Sequence, residues 1–302
     1  RRGMVGSALD RLFSSRSTMT VLGRPSTELD LCQRSQVFED IRATAPDLII
    51  DAAARVGGIL ANASYPADFI SINLQIQTNL IDAAHAAAVP RFLFLGSSCI
   101  YPKFAPQPIP ESALLTGPLE STNDAYAVAK IAGIVHIQAM RRQYGHQYIS
   151  AMPTNLYGPN DNFNVETSHV IPALLRKFHL AAVNAESQVV LWGTGKPKRE
   201  FLHVDDLAEA VDFISVHYDG DEHINIGTGE DLTIAELAEL ISGIVGFSGK
   251  IVWDDSRPDG TPRKLLNVNK LSELGWKPRL TLEEGLRQTY EWFVENQVGM
   301  RS

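Results

Sequence analysis

Cysteine is scarce: the 302 residues hold only Cys32 and Cys99. Two thiols, one ahead of a helix and one at a strand end, suggest neither a disulfide framework nor a zinc site, so no metal centre is expected. No apolar run approaches the ~20 residues that span a bilayer. Cationic blocks are missing too, and the net charge is −8. These absences argue against a membrane protein and against nucleic acid as a partner. A reducing, cytoplasmic setting fits them. Apolar residues make up 44% of the chain, ordinary for a globular protein, and the length suggests two domains or one large domain with an extension.

What is present is an alternation of strand and helix signals. Gly3-Met4-Val5-Gly6, behind Arg2, looks like the second half of a Gly-rich phosphate loop. The chain is therefore expected to begin inside its first βα turn, about ten residues into such a fold. Small residues there let backbone approach a pyrophosphate, and the next helix (Ser7 to Phe13) would pack close to the sheet. Met19-Thr20-Val21-Leu22 reads as the next strand, ending at Gly23-Arg24. An NAD-specific fold carries Asp or Glu at that strand end; Arg24, with Arg2, suits a 2′-phosphate and favours NADP(H). Asp47 to Ala54 is a buried strand running into small residues, Ala53 among them, that leave room for a nucleotide. A long helix from Pro66 to Ala88 and a strand from Arg91 to Leu95 follow. Short strands and helices then alternate to Pro159, as in a doubly wound parallel sheet. From Asn160 the character changes to a smaller α/β unit with capping boxes at Thr233/Glu236 and Thr281/Glu284. Asp205-Asp206 is expected to cap the helix that follows it.

The stretch that carries chemistry is Leu95 to Lys130. An apolar run, Phe92 to Leu95, stops at Gly96-Ser97-Ser98-Cys99 as a buried parallel strand does at its carboxyl edge. Tyr126 and Lys130 stand one helical turn apart on an Ala-rich helix. A phenol is a weak acid or base near neutrality, and an adjacent ammonium favours the phenolate. With a serine hydroxyl nearby, the three make a proton-transfer site for carbonyl/alcohol redox chemistry.

With Gly3/Gly6, Ser97, Tyr126 and Lys130 aligned, the chain resembles the extended short-chain dehydrogenase/reductase family, which is Rossmann-like and works largely on nucleotide sugars. Residues 96–103, 153–163, 168–172, 53–59 and 258–264 are similar to its branch that converts GDP-4-keto-6-deoxy-D-mannose to GDP-L-fucose. The resemblance covers essentially the whole chain. It implies epimerisation at C3 and C5 of the 4-keto sugar, then reduction of the C4 ketone with NADPH. Ser97 and Tyr126 would hold the C4 oxygen. Lys130 would lower the Tyr126 pKa and bind the nicotinamide ribose. Cys99 would be the epimerisation base and His169 the acid. Cofactor contacts are expected from Arg2, Gly3, Met4, Val5, Gly6 and Arg24, then from Ala53, Ser97 and Lys130, and finally from Pro153, Thr154, Asn155, Leu156 and His169. Lys177, Trp192, Arg199, Asp259 and Lys264 are the expected GDP-sugar contacts, the cations on the diphosphate. Residues 1–165 and about 201–228 would form the NADP-binding domain, 166–200 and 229–302 the substrate domain. A homodimer packed through the helices around 68–88 and 125–144 is also implied. A dehydratase of this family has an acidic residue after the strand-end Ser or Thr; Ser98-Cys99 there argues against that rival.

Overall fold

The computed structural model describes residues 2–164, 167–256 and 259–297. Arg1, the Arg257-Pro258 start of the basic loop and the expected domain boundary at 165–166 lie outside the described residues. The chain runs through α1 (Met4–Ser14), α2 (Arg34–Thr44), β1 (Leu48–Asp51), α3 (Ile59–Ser64), α4 (Pro66–Ala86), β2 (Arg91–Leu95), α5 (Asp124–Tyr144), β3 (Gln147–Pro153) and β4 (Asn155–Tyr157). Then come α6 (Val170–Val183), β5 (Gln188–Trp192), β6 (Lys198–Arg199), β7 (Phe201–His203), α7 (Val204–His217) and β8 (Ile224–Ile226). It closes with β9 (Leu232–Thr233), α8 (Ile234–Val245), β10 (Lys250–Asp254), β11 (Arg263–Lys264), α9 (Asn269–Glu273) and α10 (Leu282–Asn296).

Among the described residues, β1, β2, β3 and β8 form a parallel sheet in that order. The last four residues of β2 are buried because helices cover both faces. Phe92 and Phe94 face α2, α4 and α5 through Val37, Leu80 and Ile134. Leu93 and Leu95, pointing the other way, meet α1 and α7 through Leu9, Phe13 and Leu207. This is the expected α/β, Rossmann-like doubly wound sheet. A separate apolar cluster unites α6, α8 and α10 with β5 and β10 in the smaller C-terminal α/β part. Both expected capping boxes form, and α5 stops at Gly145, whose φ of +72° suits a residue without a Cβ. Among the described residues no helix is long and apolar enough to cross a membrane.

Two expectations need correction. Met19 to Leu22 is not a strand. A strand exists through its ladder, and among the described residues β1 is laddered on β2 alone. Thr18 to Pro25 instead lines the cleft beside that open edge. Nor do Asp205 and Asp206 cap α7. His203 is the N-cap and accepts from Asp205 N–H at 3.3 Å. Asp205 pairs with Arg11, while Asp206 accepts the backbone N–H groups of Arg279 and Leu280, both at 3.1 Å, and so anchors the approach to α10.

Candidate active site

β1, β2 and β3 release the chain at one rim, the carboxyl edge of the sheet, where open α/β sheets bind ligands. A cleft of about 3760 Å³ runs along it, lined by the α1 N-terminus, the Ser97–Cys99 turn, the inner face of α5 and the front of the smaller unit. All five expected catalytic residues line this one cleft.

Ser97 leaves β2 in an extended conformation and caps a short turn, accepting the Cys99 N–H at 3.3 Å. Ser97 also pulls the Tyr126 phenol and the Cys99 thiol down. Ser98 is buried beneath. Lys130, on the same face of α5 as Tyr126, is buried. Its Nζ donates to Leu95 O at 3.0 Å and stands 4.7 Å over the Phe94 ring. The expected Tyr126–Lys130 coupling is therefore corrected. Burial pushes the Tyr126 phenol up, the facing Cys99 and Asp51 charges add to that, and only Ser97 opposes them. Lys130 answers instead to Asp51: burial draws its ammonium down and Asp51 raises it. Asp51 ends β1 only 2% exposed. Burial pushes its carboxyl up to about 6 against the pull of Lys130. Its Oδ1 accepts the Ala53 N–H at 3.1 Å, and among the described residues its Oδ2 has no partner.

Cys99 is half-buried, and its sulfur meets two donors: Asn123 Nδ2 at 3.3 Å and Lys264 Nζ at 3.4 Å. Burial alone would raise the thiol, but Lys264, Ser97 and Asn123 outweigh it and hold it below the usual thiol range. His169 is the N-cap of α6. Burial, then the Lys264 charge, lowers its imidazole, which favours the neutral form.

The residues present fit NADP(H). Gly3 caps α1 without a side-chain bond, no acid occupies the first turn, and a Cβ on Gly3 would meet nothing within 4 Å. The free N–H groups of the first helical turn are thus open to a pyrophosphate. Arg2, Met4, Val5 and Gly6 line the same end of the cleft. Arg24 lines it too, but its guanidinium is paired with Asp40 of α2. Such an exposed pair is worth at most about 1 kcal/mol, so an incoming phosphate can compete for the arginine. Farther along, Pro153 ends β3 and Leu156 lies in β4. Thr154 Oγ1 and Asn155 Nδ2 both donate to Glu200 O, at 3.3 and 2.8 Å, fixing this wall.

Of the expected sugar-nucleotide contacts, Trp192 stands on the cleft wall 68% exposed. Arg199 is drawn down by burial, while Asp259, Cys99 and Glu120 support its charge. Asp259 accepts Thr194 N–H at 2.9 Å and Oγ1 at 2.7 Å, so it shapes the turn after β5. Lys177 donates to Val190 O at the rim. Lys264 lies on the Cys99 thiol rather than at an open position. Asp51 and Asn123 escaped sequence reasoning. A lone acid inside an apolar strand was the signal for the first, and a helix N-cap three residues before Tyr126 was the signal for the second.

A model of the NAD dependent epimerase/dehydratase family matches residues 1–227. The chain belongs to that family, among the extended short-chain dehydrogenase/reductases. This epimerase/dehydratase-family chain is 59% identical over 301 residues to "Probable GDP-L-fucose synthase 1" of Oryza sativa subsp. japonica, covering 99% of this chain and 92% of the relative. It is 52% identical to "GDP-L-fucose synthase" of Escherichia coli (strain K12), over 99% and 96% of the two chains. Among solved structures it is similar to a GDP-6-OMe-4-keto-L-xylo-heptose reductase from C. jejuni, with TM-score 0.93, 34% identity, and 98% and 96% covered. A GDP-L-fucose synthetase from Naegleria fowleri bound to NADP gives TM-score 0.91 and 28% identity, with 100% and 94% covered.

Proposed function

We propose that this chain converts GDP-4-keto-6-deoxy-D-mannose to GDP-L-fucose by epimerisation at C3 and C5 followed by reduction at C4. The observation that carries the reading is Cys99, whose sulfur meets Asn123 Nδ2 at 3.3 Å and Lys264 Nζ at 3.4 Å in the same cleft as Ser97, Tyr126 and Lys130. A plain ketoreductase needs only Ser97, Tyr126 and Lys130. A thiol held below its usual range in the same cleft adds a base for carbons next to the ketone.

Those carbons are acidic because the carbanion delocalises onto the ketone oxygen, which Ser97 and Tyr126 hold. Cys99 removes the proton, and His169 returns one on the opposite face. The lowered imidazole must first gain a proton, which the incoming diphosphate favours. Tyr126, pushed up by burial, keeps its proton at neutral pH and gives it to the C4 oxygen during reduction. NADP(H), when bound, supplies the hydride. Arg2 and Gly3 to Gly6, with Arg24, hold its phosphates, Lys130 its nicotinamide ribose, and Ala53, Pro153, Thr154, Asn155 and Leu156 its walls. Arg199, Trp192 and Lys177 receive the GDP-sugar. In this reading residues 1–165 and about 201–228 carry the cofactor, and 166–200 and 229–302 the sugar nucleotide. The half-exposed Val128 and Val135 on α5 support a homodimer through the outer faces of α4 and α5. A cytoplasmic location accords with the nucleotide-sugar substrate.

The test is one incubation with the 4-keto sugar nucleotide and NADPH in D₂O. Deuterium at C3 and C5 together with NADPH oxidation is expected. Oxidation without deuterium makes the chain a 4-ketoreductase like the C. jejuni relative. No oxidation at all overturns the reading.

A further inference from the structure

Lys264 has a position its sequence context does not explain. It belongs to β11, a strand of two residues laddered on β6, with Lys264 in register with Arg199. The next two residues are pinned more firmly. Leu265 N–H donates to Gln107 Oε1 at 2.9 Å, and Leu266 N–H to the buried Glu200 carboxylate at 3.0 Å. Glu200 also accepts the N–H groups of Thr228 and Gly229, at 2.7 and 2.8 Å. The backbone carrying Lys264 is thus tied both to the loop Ala105 to Ile109 and to the wall that holds Thr154 and Asn155. From that mount the side chain reaches 3.4 Å from Cys99 Sγ, while Asn123, at the N-cap of α5, reaches the same sulfur at 3.3 Å.

The groups around the sulfur come from every element packed against it. Ser97 is on its own turn, and Asn123 and Tyr126 are on α5. Arg199 is on β6, its charge supported by Asp259 and Glu120 and its Nη1 donating to Lys198 O at 2.7 Å. Lys264, on β11, is the cation in contact, and its charge also reaches His169 at the start of α6. We propose that Lys264 is a positioning residue of the epimerisation step, holding the Cys99 sulfur as an aimed thiolate instead of binding the substrate diphosphate. This deepens the function proposed above and rests on it.

The step balances. The thiolate takes the proton from the carbon beside the ketone, so an S–H bond forms and a C–H bond breaks. The released pair becomes the enolate at the C4 oxygen. One lysine thereby bears on both partners: its charge favours the Cys99 thiolate and adds to burial in favouring the neutral form of His169 until the sugar nucleotide brings its own negative charge. An ammonium committed to the diphosphate would leave the half-buried sulfur more readily protonated, because desolvation then acts on it with less opposition.

The experiment is iodoacetamide alkylation of Cys99 across pH, read by peptide mass so that Cys32 is counted separately, on the full chain carrying Lys264→Met or Lys264→Arg. Expected in Lys264→Met is a rise of the alkylation midpoint by about one pH unit or more, a tenfold loss of thiolate near neutrality, with Lys264→Arg restoring part of it. Deuterium exchange into the substrate should fall at least about tenfold in parallel, and affinity for GDP should change less than twofold. An unmoved midpoint with weakened GDP binding overturns the proposal and returns Lys264 to the diphosphate. Alkylation needs no substrate, so it decides Lys264 even if wild-type protein fails to turn over the 4-keto sugar and the functional reading falls.

Discussion

At the scale of single residues, charges here are matched in pairs other than the nearest in sequence. Tyr126 and Lys130 share a helix face, yet Lys130 turns to the Leu95 carbonyl and to Asp51 across the sheet edge. Asp51 is opposite Phe94 in the β1–β2 register, so the two side chains leave the sheet on the same side, and Lys130 stands over the Phe94 ring. Asp51 thus supports the ammonium proposed to hold the nicotinamide ribose. The sign follows directly: remove the carboxylate and the buried ammonium loses its proton at lower pH. Asp51→Asn should move the alkaline loss of NADPH affinity about one pH unit lower and leave the neutral-pH affinity little changed. Fluorescence titration of NADPH against pH reads this, and an unmoved alkaline limb would exclude the coupling.

Among elements, α5 matters most because it brings Asn123, Tyr126 and Lys130 to the cleft while packing tightly on the sheet. Its close approach depends on Gly133. A Cβ there would stand 2.3 Å from the Phe94 ring tip. Phe94 is itself buried, so the ring has nowhere to withdraw. Gly133→Ala should therefore cost about 1–3 kcal/mol in urea unfolding. It should also depress ketone reduction more than deuterium exchange, since Phe94 and Lys130 lie beside Gly133 while Cys99 is held at the distant N-cap end of α5 by Asn123 and from β11 by Lys264. Equal losses in both reactions would mean that α5 shifts as a body.

For the whole molecule, the cleft lies between the sheet rim and the smaller unit, so ligands that fill it should tie the two together. NADPH at a hundred times its dissociation constant should stabilise the fold by about 2.7 kcal/mol. NADH at the same concentration should do less if Arg2 and Arg24 read the 2′-phosphate. Thermal unfolding with each nucleotide measures the difference. Equal shifts would remove the arginines from that role and leave the Arg24–Asp40 pair as surface chemistry.

The order of helices and parallel strands was legible in the sequence, because each is written in local terms. The run Phe92 to Leu95, the Ala-rich turn periodicity around Tyr126 and the two Thr/Glu capping boxes need only neighbours a few residues away. Ser97, Tyr126 and Lys130 could be chosen by motif, Cys99 and His169 by the family resemblance, and the fold brings all five to one cleft. Met19 to Leu22 failed as a strand because a ladder needs a partner that local pattern does not supply. The same reason hid the electrostatics. Lys264 reaches Cys99 from 165 positions away, and Asp51 answers Lys130 across the sheet edge. Coulomb interactions depend on distance in space and on the water excluded between charges. The sequence by itself determined the locally encoded elements and the motif side chains that can do chemistry. Only the tertiary structure decided which charge each of them faces.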